Sequence, residues 1–291
     1  MISIRQATKA ALPDWMILSV KYRRKFGRFP DFRNPSTFNE KVLKRIVFSR
    51  DPRLSLFVDK VGVRDYVEQR LGSEALPRLY HVTTDPASIP FDELPDRFVV
   101  KPSHGSGWVR IVPDKATLDR RELQRTCTQW LARNYYRQTR ERAYKRVVPR
   151  IMIEELIEDG HGLTPIDYKF YVFNGRVELI HIIKDRYENC TNLMLDRNWQ
   201  SLNATHCSMK LMEAAPPRPP QFEKMLATAE ALGREIDFIR VDLYDTGDRV
   251  LFGELTPTPG CGLESFVPRT VDTSLGALWN RVLTDGTIRS H

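Results

Sequence analysis

"IRVDLYDTGDRVLFGELTPTPGCG", residues 239–262, reads as two strands around a tight turn, followed by a loop broken by proline and glycine. Ile239, Val241 and Leu243 alternate with Arg240, Asp242 and Tyr244, so Asp242 lies on the polar face of the first strand. The second strand, "VLFGEL", carries Glu254 among apolar neighbours. Burying a lone carboxylate is costly, so Glu254 calls for a cation, a donor or water beside it. A three-residue loop centred on Gly247 places Asp242 opposite Phe252 and makes Glu254 its diagonal neighbour on the same face, within reach of a shared ion. A two-residue loop would put the two carboxylates on opposite faces. Two carboxylates together with phosphate oxygens are a common way for proteins to hold Mg²⁺.

A second hairpin precedes this one. In "DYKFYVFNGRVELIHIIKDR", residues 167–186, Asn174-Gly175 suits a two-residue type I′ turn. Setting Phe173 opposite Arg176 puts Lys169 opposite Ile180. Lys169 and Lys184 then share a charged face with Asp167, and Phe170, Val172, Val177, Leu179 and Ile183 cover the other. Lysines on one sheet face contact phosphates as point charges, or stand as two solvated lysines. Further upstream, "VVKPSHGSGW" sets Lys101 at the end of an apolar strand, with Gly105 and Gly107 bracketing Ser106. Glycines let backbone N–H groups approach an anion, and an ammonium adds charge. The loop matches neither the phosphate-loop nor the dinucleotide-binding fingerprint, and taken alone it is equally an ordinary hairpin loop.

The rest of the chain frames these motifs. Residues 1–57 read as helical, with Thr37 and Glu40 at capping-box spacing before an apolar stripe. "SLFVDKVGVRDYVEQRLG" continues as helix and stops near Gly72. Strands are expected around "LPRLYHV", on both sides of the Gly-rich loop and in "RIMIEELIEDG", and helices from about Leu118 to Tyr135 and through "QFEKMLATAEALGREI". Adjacent antiparallel strand pairs mixed with helices predict an α+β fold.

The chain has 291 residues, 41% hydrophobic and 28% charged, ordinary values for a globular protein with a sizeable core. Its net charge of +8 favours anionic partners: nucleotides, acidic saccharides, nucleic acid or an anionic membrane surface. Cys127, Cys190, Cys207 and Cys261 are scattered without zinc-finger spacing, so neither a structural zinc nor a disulfide framework is expected. No apolar run reaches membrane-span length and no signal peptide is evident, which makes a cytoplasmic location the expectation.

In combination and in this order the motifs resemble the TupA-like family of the ATP-grasp superfamily, whose setting is cell-surface polysaccharide biosynthesis. The resemblance rests on "NPSTFNEKV", "DPRLSLFVDKVGVRDYV", "LPDRFVVKPSHGSGW", "DYKFYVFNGRV" and "IRVDLYDTGDRVLFGELTPTPG", and spans roughly Asn34 to Pro268. It implies an ATP-grasp fold, with nucleotide held between two α+β subdomains. The implied division is a helical extension over 1–57, a first subdomain with the Gly-rich loop and a basic helical stretch over 58–150, and a second, metal-binding one over 151–291. By similarity, Lys101 touches the nucleotide phosphates while His104, Gly105, Ser106 and Gly107 form the loop that closes over them. Lys60 and Arg64 are the alternatives for an earlier basic contact. Backbone around Glu155, Leu156 and Ile157 meets adenine, and Glu158 or Asp159 lies near the ribose. Lys169 takes a phosphate-contacting position, and with Lys101, Lys184 and Arg186 forms the candidate catalytic set. Asp242 and Glu254 are the implied metal ligands. Many ATP-grasp ligases carry Asn two residues after that glutamate, and here Thr256 stands in its place.

The activity implied is an ATP- and Mg²⁺-dependent ligase joining a carboxylate to an amine through an acylphosphate. Two alternatives stand beside it: a phosphotransferase acting on a saccharide, and a non-catalytic polyanion-binding protein. The implied partners are nucleotide, a small or polymer-linked carboxylate and an amine. Nucleic acid is not expected, and the N-terminal basic stretch allows a reversible contact with an anionic membrane.

Overall fold

The computed structural model describes residues 12–158, 165–184, 190–206, 209–284 and 287–290. The chain opens with helices Asp14–Phe26 and Phe38–Phe48. The second starts as its sequence requires: Thr37 Oγ1 accepts the Glu40 N–H at 3.3 Å, and Glu40 Oε2 accepts the Thr37 N–H at 3.2 Å. The helix expected to run unbroken to Gly72 is instead two, Arg53–Val58 and Val63–Leu71. Asp59 causes the break, its Oδ1 accepting the Val61 N–H at 3.0 Å in a local turn. Lys60 therefore sits on a turn, and its own N–H reaches Ser103 O at 3.2 Å.

Strands β1 (Leu79–Thr83), β2 (Phe98–Pro102), β3 (Arg110–Val112) and β4 (Ile151–Glu155) form an antiparallel sheet in the order β1-β4-β2-β3. Sheet membership thus carries residues 151–155 with the strands that precede them. Helix Arg120–Ala132, capped by Asp119 accepting the Glu122 N–H at 2.9 Å, packs beneath through Leu123, Cys127 and Trp130.

The larger sheet holds β5 (Asp167–Phe173), β6 (Arg176–Lys184), β7 (Thr191–Leu195), β8 (Ser201–His206), β9 (Lys210–Leu211), β10 (Phe238–Asp245), β11 (Val250–Thr256) and β12 (Phe266–Val267). Its order is β11-β10-β5-β6-β7-β8-β12, with β9 parallel to β7. Helix Phe222–Gly233 covers one face, where Phe170, Val172, Ile180, Ile182, Val241 and Leu243 are buried. Helix Phe38–Phe48 and helix Thr270–Trp279 cover the other, around Phe38, Tyr171, Phe173, Leu179 and Phe238. Each face buries apolar residues along the strands, so both sides of this sheet are core. A short pair, β13 (Arg281–Thr284) and β14 (Thr287–Ser290), follows.

Asn174 and Gly175, with φ of 50° and 78°, make the turn expected of them, and Phe173 pairs with Arg176. A bulge between Tyr171 and Val172 then shifts the register by one residue. Lys169 lies opposite His181 rather than Ile180, and Asp167 opposite Ile183. A one-residue slip exchanges faces. Leu179 and Ile183 consequently join the face of Lys169, while Lys184 falls on the other face and is exposed.

Candidate functional site

The deciding hairpin also carries a bulge. Its loop is four residues, not three: Asp245 pairs with Val250 and Leu243 with Phe252, after which the register slips and Asp242 faces Glu254 directly. The shared face survives, but the carboxylates are direct partners rather than diagonal ones, and Asp242 does not face Phe252. Gly253 is the unpaired residue, and a Cβ there would stand 2.8 Å from Tyr244 Cε2 and 3.0 Å from Asp242 O. Only glycine lets the strand fold back this closely.

Both carboxylates border a cavity of about 370 Å³ whose walls come from both sheets. Its basic side chains are Lys60 and Lys101, and its loop wall is Ser106, Gly107 and Trp108. Val99, Ile111 and Phe252 supply apolar surface, and Glu155, Leu156 and Ile157 lie along one edge. This mixture of apolar wall and convergent polar groups is the usual composition of a small-molecule site.

Glu254 has a cation beside it: Lys60 Nζ stands 3.3 Å from Glu254 Oε1 and also donates to Gly105 O at 2.6 Å. Burial alone would raise the Glu254 pKa. The charge of Lys60, with Arg240 and Lys169 behind it, outweighs burial and the repulsion of Asp242, so the carboxyl is held below its ordinary value. Asp242 is gripped more firmly, by Arg240 Nε at 2.7 Å and by Arg240 Nη2 and Lys169 Nζ at 2.8 and 2.6 Å. Burial opposes its ionisation, but the Arg240 and Lys169 charges win and hold it down at about 2. Lys169 also pairs with Asp167 Oδ2 at 2.6 Å.

The remaining expected residues divide. Lys101 borders the cavity, ion-paired with Glu154. Arg64 lines a narrow cleft behind it, donating to Pro77 O at 2.7 Å with Glu154 3.8 Å away. The Gly105 carbonyl serves Lys60, and a Cβ at Gly105 would press 2.7 Å from the Trp108 ring. His104 is buried with Nε2 against Trp130 O at 3.0 Å, and it is not in the cavity wall. Glu158, paired with Arg97, also lies outside the wall. Lys169 is buried behind Asp242, and Lys184 is on the far face of the sheet. Thr256 Oγ1 accepts from Arg240 Nη2 at 3.0 Å and is outside the wall as well. Asp159 and Arg186 lie outside the described residues.

Sequence reasoning missed Arg240, Glu154 and Trp108. Arg240 alternates with Asp242 on the same face, and Glu154 alternates with Met152, which pairs with Lys101 across the sheet. Those periodicities were available signals. Nothing local marks Trp108 as a wall residue.

Among the described residues, no group of three or more His, Cys, Asp or Glu side chains could hold a metal ion by itself. Asp242 and Glu254 nonetheless suit a hard divalent cation that draws its other ligands from phosphate and water, since both offer oxygen donors on one face. Thr256 is already engaged by Arg240.

This chain belongs to the TupA-like ATP-grasp family, whose model matches residues 40–280. Its fold is the ATP-grasp fold. Among solved structures, the chain is similar to a RimK-domain ATP-grasp protein from Sphaerobacter thermophilus, at 14% identity over 84% of this chain and 78% of that one, TM-score 0.44. It is also similar to D-alanine–D-alanine ligase from Bacillus anthracis in complex with ATP, at 19% identity over 71% and 57%, TM-score 0.42. A third is the ATP-grasp ligase PsnB with a minimal precursor, at 13% identity over 71% and 55%, TM-score 0.41. The chain thus spans little more than half of the last two. No curated protein matches it. Among the described residues, no helix is long and apolar enough to cross a membrane.

Proposed function

We propose that this protein is an ATP- and Mg²⁺-dependent ligase that joins a carboxylate to an amine, in the assembly of a surface polysaccharide or a peptide-bearing polymer. The observation that carries the reading is the register of the β10–β11 hairpin, which sets Asp242 and Glu254 face to face on the cavity that Lys60 and Lys101 enter.

Asp242 and Glu254 would hold the ion. Bound Mg²⁺ would screen the phosphates and stabilise charge developing on the transferred phosphoryl group. Lys60 and Lys101 offset further phosphate charge, which otherwise repels an anionic carboxylate nucleophile. Arg240 and Lys169 fix Asp242 in its ionised form. The edge formed by Glu155, Leu156 and Ile157 with Val99, Ile111 and Phe252 would take the adenine. Attack of the acceptor carboxylate on the terminal phosphorus releases ADP and leaves an acylphosphate. Attack of the amine on its carbonyl carbon then forms the amide and releases phosphate. The loop around Ser106, Gly107 and Trp108 would exclude water from the acylphosphate.

The test is the melting temperature with and without Mg·ATP, for the wild type and Glu254→Gln. Ligand at 100 times its Kd adds about 2.7 kcal/mol, worth several degrees. A magnesium-dependent rise that shrinks in the variant is expected, and no rise at millimolar nucleotide would refute the reading. Hydroxylamine then separates the chemistries: a hydroxamate marks an acylphosphate, whereas phosphate transfer to a hydroxyl without one marks a kinase.

A further inference from the structure

A second cavity, also about 370 Å³, opens beside the loop that follows β11. Residues 45–55 and 141–146 form its walls together with Thr258. Five basic side chains and two acidic ones line it, and their partners decide its charge. Arg45 is buried and neutralised by Asp237 at 2.5 Å. Asp51 is neutralised in turn by Arg53 at 2.6 Å. Glu141 is buried and accepts from the Thr258 hydroxyl and, at 3.1 Å, from the Cys261 thiol, and burial pushes its carboxyl up. What remains is Arg50, Arg142, Lys145 and Arg146, none of which has a carboxylate partner among the described residues. Arg142 donates to Val47 O at 3.1 Å and Lys145 lies over the Tyr136 ring.

Spare cations are expected on a chain of net charge +8. Their convergence is not: two segments some ninety positions apart in the chain bring four of them to one concavity. That concavity is also tied to the first site. Thr258 is four residues beyond Glu254, at most about 14 Å of extended chain. Tyr144, between the lining residues Ala143 and Lys145, packs its ring against that of Tyr135 at 4.5 Å and a tilt of 55°, and Tyr135 meets Trp108 of the nucleotide cavity edge-on at 5.7 Å.

We propose that this second cavity binds the acceptor through anionic groups other than the carboxylate that reacts. The acceptor is then a multiply charged saccharide or peptide chain, bearing further carboxylates or phosphates, and not a small monocarboxylate. This rests on the ligase reading. Four uncompensated cations around a partly enclosed pocket attract several negative charges, and such binding weakens steeply with salt.

Calorimetry tests it with two probes, trigalacturonate for carboxylates and inorganic diphosphate for phosphates, each added first to the protein alone and then with the nucleotide site filled by a non-hydrolysable Mg·ATP analogue. The variant is Arg50→Gln with Arg146→Gln, two exposed side chains without ionic partners. At least one probe should bind the wild type with 1:1 stoichiometry and at least tenfold more weakly to the double variant, whose Mg·ATP affinity is unchanged. Which probe binds identifies the anion. No binding of either probe at millimolar concentration overturns the proposal, as does equal affinity for wild type and variant. Binding that disappears once the nucleotide site is filled overturns it too, because the probe then sat among the nucleotide's ligands. Failure of the wild type to bind Mg·ATP at all would instead sink the ligase reading, and the acceptor role with it, whatever the probes do.

Discussion

Gly253→Ala probes the bulge on which the site depends. The added methyl would stand 2.8 Å from Tyr244 Cε2 and 3.0 Å from Asp242 O. The tyrosine ring can yield by a few tenths of an ångström, but the carbonyl belongs to the paired strand and can move only with β10. Overpacking of this kind costs about 1–3 kcal/mol. For a protein of this size that is a fall in Tm of about 2–4 °C per kcal/mol. The functional loss should be larger than the structural one, because relief of the clash requires β11 to move away from β10, and the facing of Asp242 and Glu254 is what that pairing provides. Urea unfolding measures the first effect and calorimetric titration with Mg·ATP the second. The expected result is a stable, folded variant with at least tenfold weaker Mg·ATP binding. A variant that binds Mg·ATP as the wild type does, with unchanged stability, would show that the bulge geometry is not what aligns the carboxylates.

Three further outcomes follow from other contacts. Glu40 is buried and accepts from Arg28, from the Ser36 hydroxyl and from the N–H groups of Asp31, Ser36 and Thr37; Glu40→Ala takes the acceptor from all five donors but leaves no buried charge, since Arg28 is half-exposed, and should cost about 1–3 kcal/mol in denaturant unfolding. Burial, then the neighbouring Lys169 charge, pushes His181 down to about 3, so the folded ring stays neutral while the unfolded one protonates below about 6.5. Its contribution is complete above that value and is lost as pH falls towards 3. Stability should therefore decline by up to about 1.4 kcal/mol per pH unit in that window, and His181→Gln, which keeps a donor for Asn192 Oδ1, should flatten the slope. Lys60→Met removes the link between Gly105 O and Glu254, and hydrogen exchange at residues 105–108 should accelerate while the core of β10 stays protected.

The sequence by itself determined the local elements whose signals are short-range. The Thr37–Glu40 capping box, the Asn174-Gly175 turn and the antiparallel α+β character follow from groups a few residues apart. The shared face of Asp242 and Glu254 does not: with Asp245 opposite Val250, only the bulge at Gly253 keeps Glu254 on the face of Asp242. Tertiary structure decided the registers. A bulge is one unpaired residue admitted by strand twist and by what packs across the strand, and a period of two cannot reveal it. The Tyr171–Val172 bulge sent Lys184 to the far face, and the Gly253 bulge brought the carboxylates directly opposite one another. The turn at Asp59 that delivers Lys60 interrupts what reads as one helix, because a side-chain acceptor competes with the helical hydrogen bond there. His104 and Glu158 had the right chemistry for the cavity, yet Trp130 and Arg97 hold them outside its wall. Such long-range partners, and the convergence of Arg50 and Arg146 on one cavity, exist only once distant segments are packed together, since no local preference encodes which distant groups will come together.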